Sequence, residues 1–176
     1  MYSKIITYFG ESEIFAENKN PMSFQINNQA PDFKLFNTDK RIVTLSELKG
    51  KNVVLLFFPF AFTSTCTEEL CSTRDDLSFY NDMNAVVFGI SNDSVFVLKK
   101  FKEALNLNFE LLSDWNKTVS KDYNSLYDEF IFGTREVAKR SAFVVDKNGV
   151  LKYAEVLEDA NKIPNFAAVK ACLEKC

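Results

Sequence analysis

The stretch from Val53 to Leu77, VVLLFFPFAFTSTCTEELCSTRDDL, constrains the fold more than any other part of the chain. An unbroken apolar run, Val53 to Phe58, ends at Pro59. A short loop then leads to the polar cluster Thr63-Ser64-Thr65, directly before Cys66. A run this short and this apolar, closed by proline, predicts a strand buried on both faces of a parallel sheet. Hydroxyl residues ahead of a periodic segment predict a helix start, and Thr65 with Glu68 fits a capping box. Beyond them Cys66, Leu70, Thr73, Leu77 and Tyr80 fall on one helical face. The expected order is strand, loop, helix, with Cys66 in the first helical turn or at its edge.

That placement bears on chemistry. The thiolate is the nucleophilic form of cysteine, and a free thiol with a pKa of about 8.5 is ionised only about one part in thirty at neutral pH. A helix N-terminus offers unpaired N–H groups and the positive end of the macrodipole, which favour an anion. Neighbouring threonine hydroxyls can donate to the same sulfur. The plain alternative is a buried, inert cysteine, and the polar Thr-Ser-Thr lead-in argues against it.

Composition narrows the chemistry further. The chain has 176 residues, 47% of them hydrophobic, which suits one domain with a full core. A net charge of -3 and the lack of any basic run give no electrostatic footprint for nucleic acid. No stretch of about 20 apolar residues marks a membrane span. Histidine is absent, which removes Cys-His and Ser-His-Asp catalysis and the commonest zinc ligand. Any nucleophile must instead be activated by dipoles, hydroxyls, lysine or arginine. The four cysteines, Cys66, Cys71, Cys172 and Cys176, are spaced C-x4-C and C-x3-C, unlike the C-x2-C pairs of a zinc ribbon. No metal and no cofactor is expected.

Residues 1–22 lack the basic start and apolar centre of a signal peptide and are read as an N-terminal arm, disordered or an extension. The domain is expected over residues 23–176. Phe33 and Leu35 are separated from Ile42, Val43 and Leu45 by Asn37-Thr38-Asp39-Lys40, an N-terminal hairpin. Ser46 to Gly50 reads as one helical turn stopped by glycine. Ala85 to Ile90 reads as a second apolar strand. Asn92, Asp93 and Ser94 are cap residues before a helix marked by Val95, Leu98, Phe101 and Leu105. Phe109 to Leu112 is a strand, Lys117 to Tyr123 a short helix, and Ile131 to Arg135 a loop. Ala142 to Val145 and Val150 to Val156 flank the turn Asp146-Lys147-Asn148-Gly149, and a helix follows Pro164. Such an alternation gives an α/β protein: a central mixed sheet flanked by helices, laid out as a thioredoxin-like fold with the cysteine at the first strand-to-helix loop.

Pro59-x3-Thr63-x2-Cys66 resembles the active-site signature of the peroxiredoxins. Ala30-Pro31-Asp32-Phe33 looks like that family's first-strand entry. Leu111-Leu112-Ser113-Asp114 and Val119 to Tyr123 are similar to its central strand and following helix. Val137 to Asp146 resembles its arginine-bearing strand. These segments occur in the family's order, and the similarity spans about residues 23–176. The types most alike are the bacterioferritin-comigratory-protein and alkyl hydroperoxide reductase E groups.

The resemblance implies a thiol-dependent peroxidase acting on hydrogen peroxide and organic hydroperoxides. Cys66 would be the peroxidatic nucleophile and become a sulfenic acid. Thr63 would hydrogen-bond sulfur and peroxide, and Arg140 would hold a permanent positive charge beside them. Pro59 would shield the sulfur, and Glu69 would orient the arginine. Arg135 is a second candidate arginine, equally readable as a solvated loop charge. Cys71 is a candidate resolving cysteine. On an intact helix it lies roughly 9 Å from Cys66 between Cα atoms, beyond the roughly 7 Å that a disulfide tolerates. Either the helix start unwinds to form that bond, or Cys71 is core and an external thiol reduces the sulfenic acid. Cys172 is a further resolving candidate, also explained by helix packing, and Cys176 reads as idle. Implied partners are a peroxide and thioredoxin or a similar thiol reductant, in a cytoplasmic monomer or homodimer with no nucleic-acid or membrane partner. The competing readings are a cysteine-based peroxide sensor and a thiol–disulfide oxidoreductase; the latter's C-x2-C is absent. Phe60 and Phe62 point to an apolar mouth suited to alkyl hydroperoxides.

Overall fold

β3 (Asn52–Phe57) is buried at every position. A strand with no wet face must be covered on both sides, and its side chains alternate between two cores. Val54 and Leu56 pack with Leu70, Leu98, Phe101 and Val169. Val53, Leu55 and Phe57 pack with Leu35, Val119, Tyr123 and Phe143 on the opposite face. The computed structural model describes residues 25–176. The arm expected over residues 1–22, and its junction with the domain, lie outside the described residues.

The hairpin β1 (Lys34–Asn37) and β2 (Ile42–Thr44) precedes a 3-10 turn at Leu45–Leu48 and then β3. Helices α1 (Ser64–Asp75) and α2 (Leu77–Asp82) lead to β4 (Ala85–Ser91), α3 (Val95–Leu105), β5 (Glu110–Ser113) and α4 (Thr118–Asp122). A two-stranded ribbon, β6 (Leu126–Tyr127) with β7 (Val137–Ala138), precedes β8 (Ser141–Val145), β9 (Leu151–Val156) and α5 (Phe166–Leu173). The main sheet runs β2-β1-β5-β4-β3-β8-β9. Strands β3, β4 and β5 are parallel, whereas β1, β8 and β9 run antiparallel to their neighbours. This is the mixed, helix-flanked sheet that the sequence predicts.

Local differences have physical causes. Helix α1 starts two residues earlier than the capping box requires, so Thr63 is its N-cap and Thr65 lies inside the first turn. The Cys66-to-Tyr80 face belongs to two helices, because Asp76 breaks the run at φ -95°, ψ 7°. The ribbon β6–β7 flanks a segment that reads as plain loop, since two-residue strands carry no detectable period.

Topology decides where the chemistry sits. The β3-to-α1 connection leaves the sheet at the carboxyl end of the parallel strands, where α/β folds place their sites. β8 is antiparallel to β3 with Ser141 opposite Phe57, so Arg140 arrives at the same end. Gly89 on β4 makes room for the Leu111 side chain under α1. A Cβ there would stand 2.6 Å from Leu111 Cδ2, 3.3 Å from Phe58 and 3.6 Å from Leu70, one turn beyond Cys66.

Candidate active site

Cys66 is fully buried at the third position of α1. Arg140, between β7 and β8, donates through Nη2 to Cys66 Sγ at 3.2 Å. Its Nη1 donates to Glu69 Oε2, one turn along α1. Its Nε and Nη2 donate to the Ala160 carbonyl at 3.3 and 3.1 Å. The i, i+3 spacing places Cys66 and Glu69 on one helix face, so α1 presents a sulfur and a carboxylate to one guanidinium. Arg140 is 1% exposed and Glu69 0%, which makes this a buried, charge-assisted cluster.

Electrostatics within the cluster compete. Burial pushes the Glu69 carboxyl up to about 7, while the charge and hydrogen bond of Arg140 pull it down. Burial opposes the Arg140 charge, but Glu69 and Cys66 together raise its pKa above the usual guanidinium value. Glu69 Oε1 is buried without a hydrogen-bond partner. The carboxylate is therefore satisfied only on the side facing the arginine.

The loop before Cys66 is pinned from β4. Asp93 Oδ2 accepts from the Ala61 N–H at 2.7 Å and from Ser91 Oγ at 3.2 Å, and Ser91 Oγ also donates to the Pro59 carbonyl at 3.4 Å. Phe62 turns through a left-handed conformation, φ 64°, and its ring meets Phe101 at 4.9 Å. Pro59 is buried beside the site. Thr63 donates to the Phe60 carbonyl at 3.0 Å rather than to the sulfur. The N–H groups of Ser64, Thr65 and Cys66 open the helix, where no preceding turn supplies a carbonyl.

An aromatic wall adjoins the loop. Phe60 and Phe130 stand 5.9 Å apart, Tyr127 stacks on Phe130 at 4.6 Å, and Lys139 lies 5.5 Å over Tyr127. The Tyr127 hydroxyl donates to the Leu157 carbonyl at 3.2 Å. Its pKa is raised, chiefly by burial and Glu158, with Arg140 opposing and Cys66 adding a smaller push.

Not all the candidates meet here. Arg135 is exposed and lines a groove of about 490 Å³ with Phe60, Asp93, Trp115 and Lys117. Cys71 is half-buried within an unbroken α1, so its pairing with Cys66 requires local unwinding. Cys172 packs against the edge of the core cluster that also holds Cys66, toward the other end of the sheet. Lys147, in the β8–β9 turn, donates to the Cys176 backbone oxygen at 3.3 Å, which sets the end of α5 at the far end of β8 from Arg140. About 16 Å of strand separates the two ends.

Sequence reasoning passed over Asp93 and Ala160. Asp93 reads as a helix cap, but Ser94 takes that role by accepting from Val97 N–H. Ala160 contributes only a peptide oxygen, which no residue type announces.

The sequence matches the AhpC/TSA family over residues 26–154. The chain belongs to that family. It is 37% identical over 131 residues to peroxiredoxin Bcp of Bacillus subtilis, covering 74% of this chain and 83% of that protein. It is 40% identical over 124 residues to the chloroplastic peroxiredoxin Q of Oryza sativa subsp. japonica, spanning 70% of this chain and 55% of that longer one. Among solved structures, peroxidoxin BcpB from Mycobacterium tuberculosis superposes with a TM-score of 0.76 at 28% identity, over 86% of this chain and 97% of that one. The family thus agrees with the thioredoxin-like sheet and with the peroxiredoxin resemblance read from the motifs.

Proposed function

We propose that the protein is a thiol-dependent peroxidase in which Cys66 attacks the distal oxygen of a hydroperoxide. The observation that carries this reading is the Arg140 Nη2 contact, 3.2 Å from a fully buried Cys66 Sγ. A guanidinium donating at that distance stabilises negative charge on sulfur before attack and on the peroxide oxygens during O–O cleavage. The sulfur forms one bond to oxygen, the O–O bond breaks, and the leaving alkoxide takes a proton to become an alcohol. Cys66 is left as a sulfenic acid. The free N–H groups at the start of α1 and a rotated Thr63 hydroxyl hold the peroxide in line. Pro59 excludes bulk water, and Glu69 positions the guanidinium. Arg135 is given no catalytic role, because it lies in the outer groove.

A thiol then displaces water from the sulfenic acid, and a second thiol releases the resulting disulfide. Thioredoxin or another small thiol serves, either on the sulfenic acid itself or after α1 unwinds to bring Cys71 onto Cys66. The cytoplasm supplies such reductants, and the working form is a monomer or homodimer. The wall of Phe60, Phe130 and Tyr127 favours alkyl over hydrogen peroxide.

Stopped-flow mixing of the reduced protein with peroxide, followed through Trp115 fluorescence and by dimedone trapping of sulfenic acid, tests the reading. One oxidation event at Cys66, catalytic consumption of peroxide with added thioredoxin, and neither in Cys66→Ser are expected. Sulfenic acid formed at another cysteine with Cys66 unmodified would overturn it. A hydrogen peroxide rate well above that for an alkyl hydroperoxide would remove the substrate preference alone.

A further inference from the structure

The C-x3-C pair at the end of α5 has no part in the chemistry above. Cys176 follows the last turn of α5, beyond the C-cap Glu174, where Lys175 and Cys176 bond back to Cys172 and Leu173 in i to i+3 fashion. The Cys176 thiol hydrogen-bonds the Cys172 backbone oxygen at 3.3 Å and also the Cys172 sulfur. The Cys176 sulfur, 3.3 Å from the Cys172 backbone oxygen, already stands beside its partner residue, and a regular α-helical i, i+4 pair, with Cα atoms about 6 Å apart, falls inside the roughly 4.4–6.8 Å that disulfides span. Bond formation here needs side-chain rotation at a helix end, with no turn of α5 unwound. The contrast with Cys66 and Cys71, five apart inside α1, is direct.

We propose that Cys172 and Cys176 form a second thiol–disulfide exchange site, closed to an intramolecular disulfide by low-molecular-weight disulfides. The site stands apart from Cys66 along the sheet: Lys147 holds the Cys176 end of α5 at the β8–β9 turn, whereas Arg140 and Cys66 meet at the opposite end of β8. Both thiols are half-buried, so a small molecule reaches them. Burial raises the pKa of each, but the hydrogen bond from Cys176 relieves Cys172, whereas burial and the Cys172 charge push Cys176 up to about 11. Cys172 is therefore the attacking sulfur. Its thiolate attacks the incoming disulfide, one S–S bond forms and one breaks, and the first small thiolate leaves. Cys176 then gives its proton to that thiolate or to water and attacks the Cys172 sulfur, releasing the second small thiol. Two protein thiols are oxidised and one small disulfide is reduced to two thiols. Because high-pKa thiols are poor leaving groups, the closed pair resists reopening by monothiols.

The test uses the reduced full chain, oxidised glutathione as the probe, iodoacetamide quenching and mass mapping after Asp-N digestion, which keeps Cys172 and Cys176 in the one peptide that starts at Asp159. Wild type and a Cys66→Ser/Cys71→Ser variant should both show the C-terminal peptide lighter by two hydrogens and unalkylated. Cys176→Ser should trap glutathione on Cys172, while Cys172→Ser should leave Cys176 largely free for alkylation. Stable glutathione adducts on both cysteines of wild type, a link from Cys172 to Cys66 or Cys71, or full alkylation of both thiols would each overturn the proposal. Because none of these readouts involves peroxide turnover, failure here leaves the peroxidase assignment standing.

Discussion

Replacing Arg140 by methionine tests the buried ion pair through its pH dependence. In the parent, burial pushes Glu69 up to about 7 from 4.5, against the pull of Arg140. The carboxyl of the unfolded chain releases its proton first, so this group's contribution to stability is full below about pH 4.5, falls toward pH 7 and is level above. In Arg140→Met the carboxyl stays buried without the guanidinium and keeps its proton to higher pH. Its contribution therefore goes on falling above about pH 7, by about 1.4 kcal/mol per pH unit. The stability gap between parent and variant should widen by about 2.7 kcal/mol from about pH 7 to about pH 9. At roughly 2–4 °C per kcal/mol for a chain of this size, the difference in melting midpoints grows by roughly 5–11 °C. Thermal melts followed by circular dichroism under reducing conditions read it. The same comparison in a Glu69→Gln background should give a constant gap. A level gap in the first comparison, or equal widening in the second, refutes the reasoning.

Three further outcomes follow from the site. Arg140→Lys keeps a charge but loses the fork that joins sulfur, carboxylate and carbonyl; stopped-flow oxidation by peroxide should slow by about 10- to 100-fold, since a charge-assisted hydrogen bond contributes about 1.5–3 kcal/mol. Asp93→Ala leaves the Ala61 N–H without its acceptor and should cost about 1–3 kcal/mol in urea denaturation, with slower oxidation of Cys66; unchanged values would show that the loop holds itself. Gly89→Ala forces a methyl against Leu111 and should cost about 1–3 kcal/mol in the same assay.

The parts of this architecture legible in the sequence share one property, a contiguous signal. Val53 to Phe58 is readable because full burial erases alternation, and the helix after it because Cys66, Leu70 and Thr73 repeat on one buried face. The meeting of Cys66 and Arg140, 74 residues apart, is a product of β8 pairing with β3; only the family motif brings the two together on paper. Asp93 is hidden by its own residue type, since an aspartate before a helix looks like a cap until Ser94 is seen to do that work. Thr65 misleads for a related reason: three hydroxyl residues in a row offer three N-caps, and backbone geometry selects Thr63. The break at Asp76 is silent because the apolar positions keep helical spacing across it.

The peptide oxygen of Ala160 completes the coordination of Arg140. Every amino acid carries that oxygen, so the letter at position 160 is almost free to drift. What cannot drift is the path of the backbone, which the Asp159 carboxylate fixes by accepting from the Asn161 N–H at 3.0 Å and the Leu157 N–H by bonding the Arg140 carbonyl at 2.9 Å. Selection at this edge of the site therefore acts on loop length rather than on side chains: random substitution would leave position 160 unmarked, while loss or gain of a single residue between Leu157 and Pro164 would unseat the arginine.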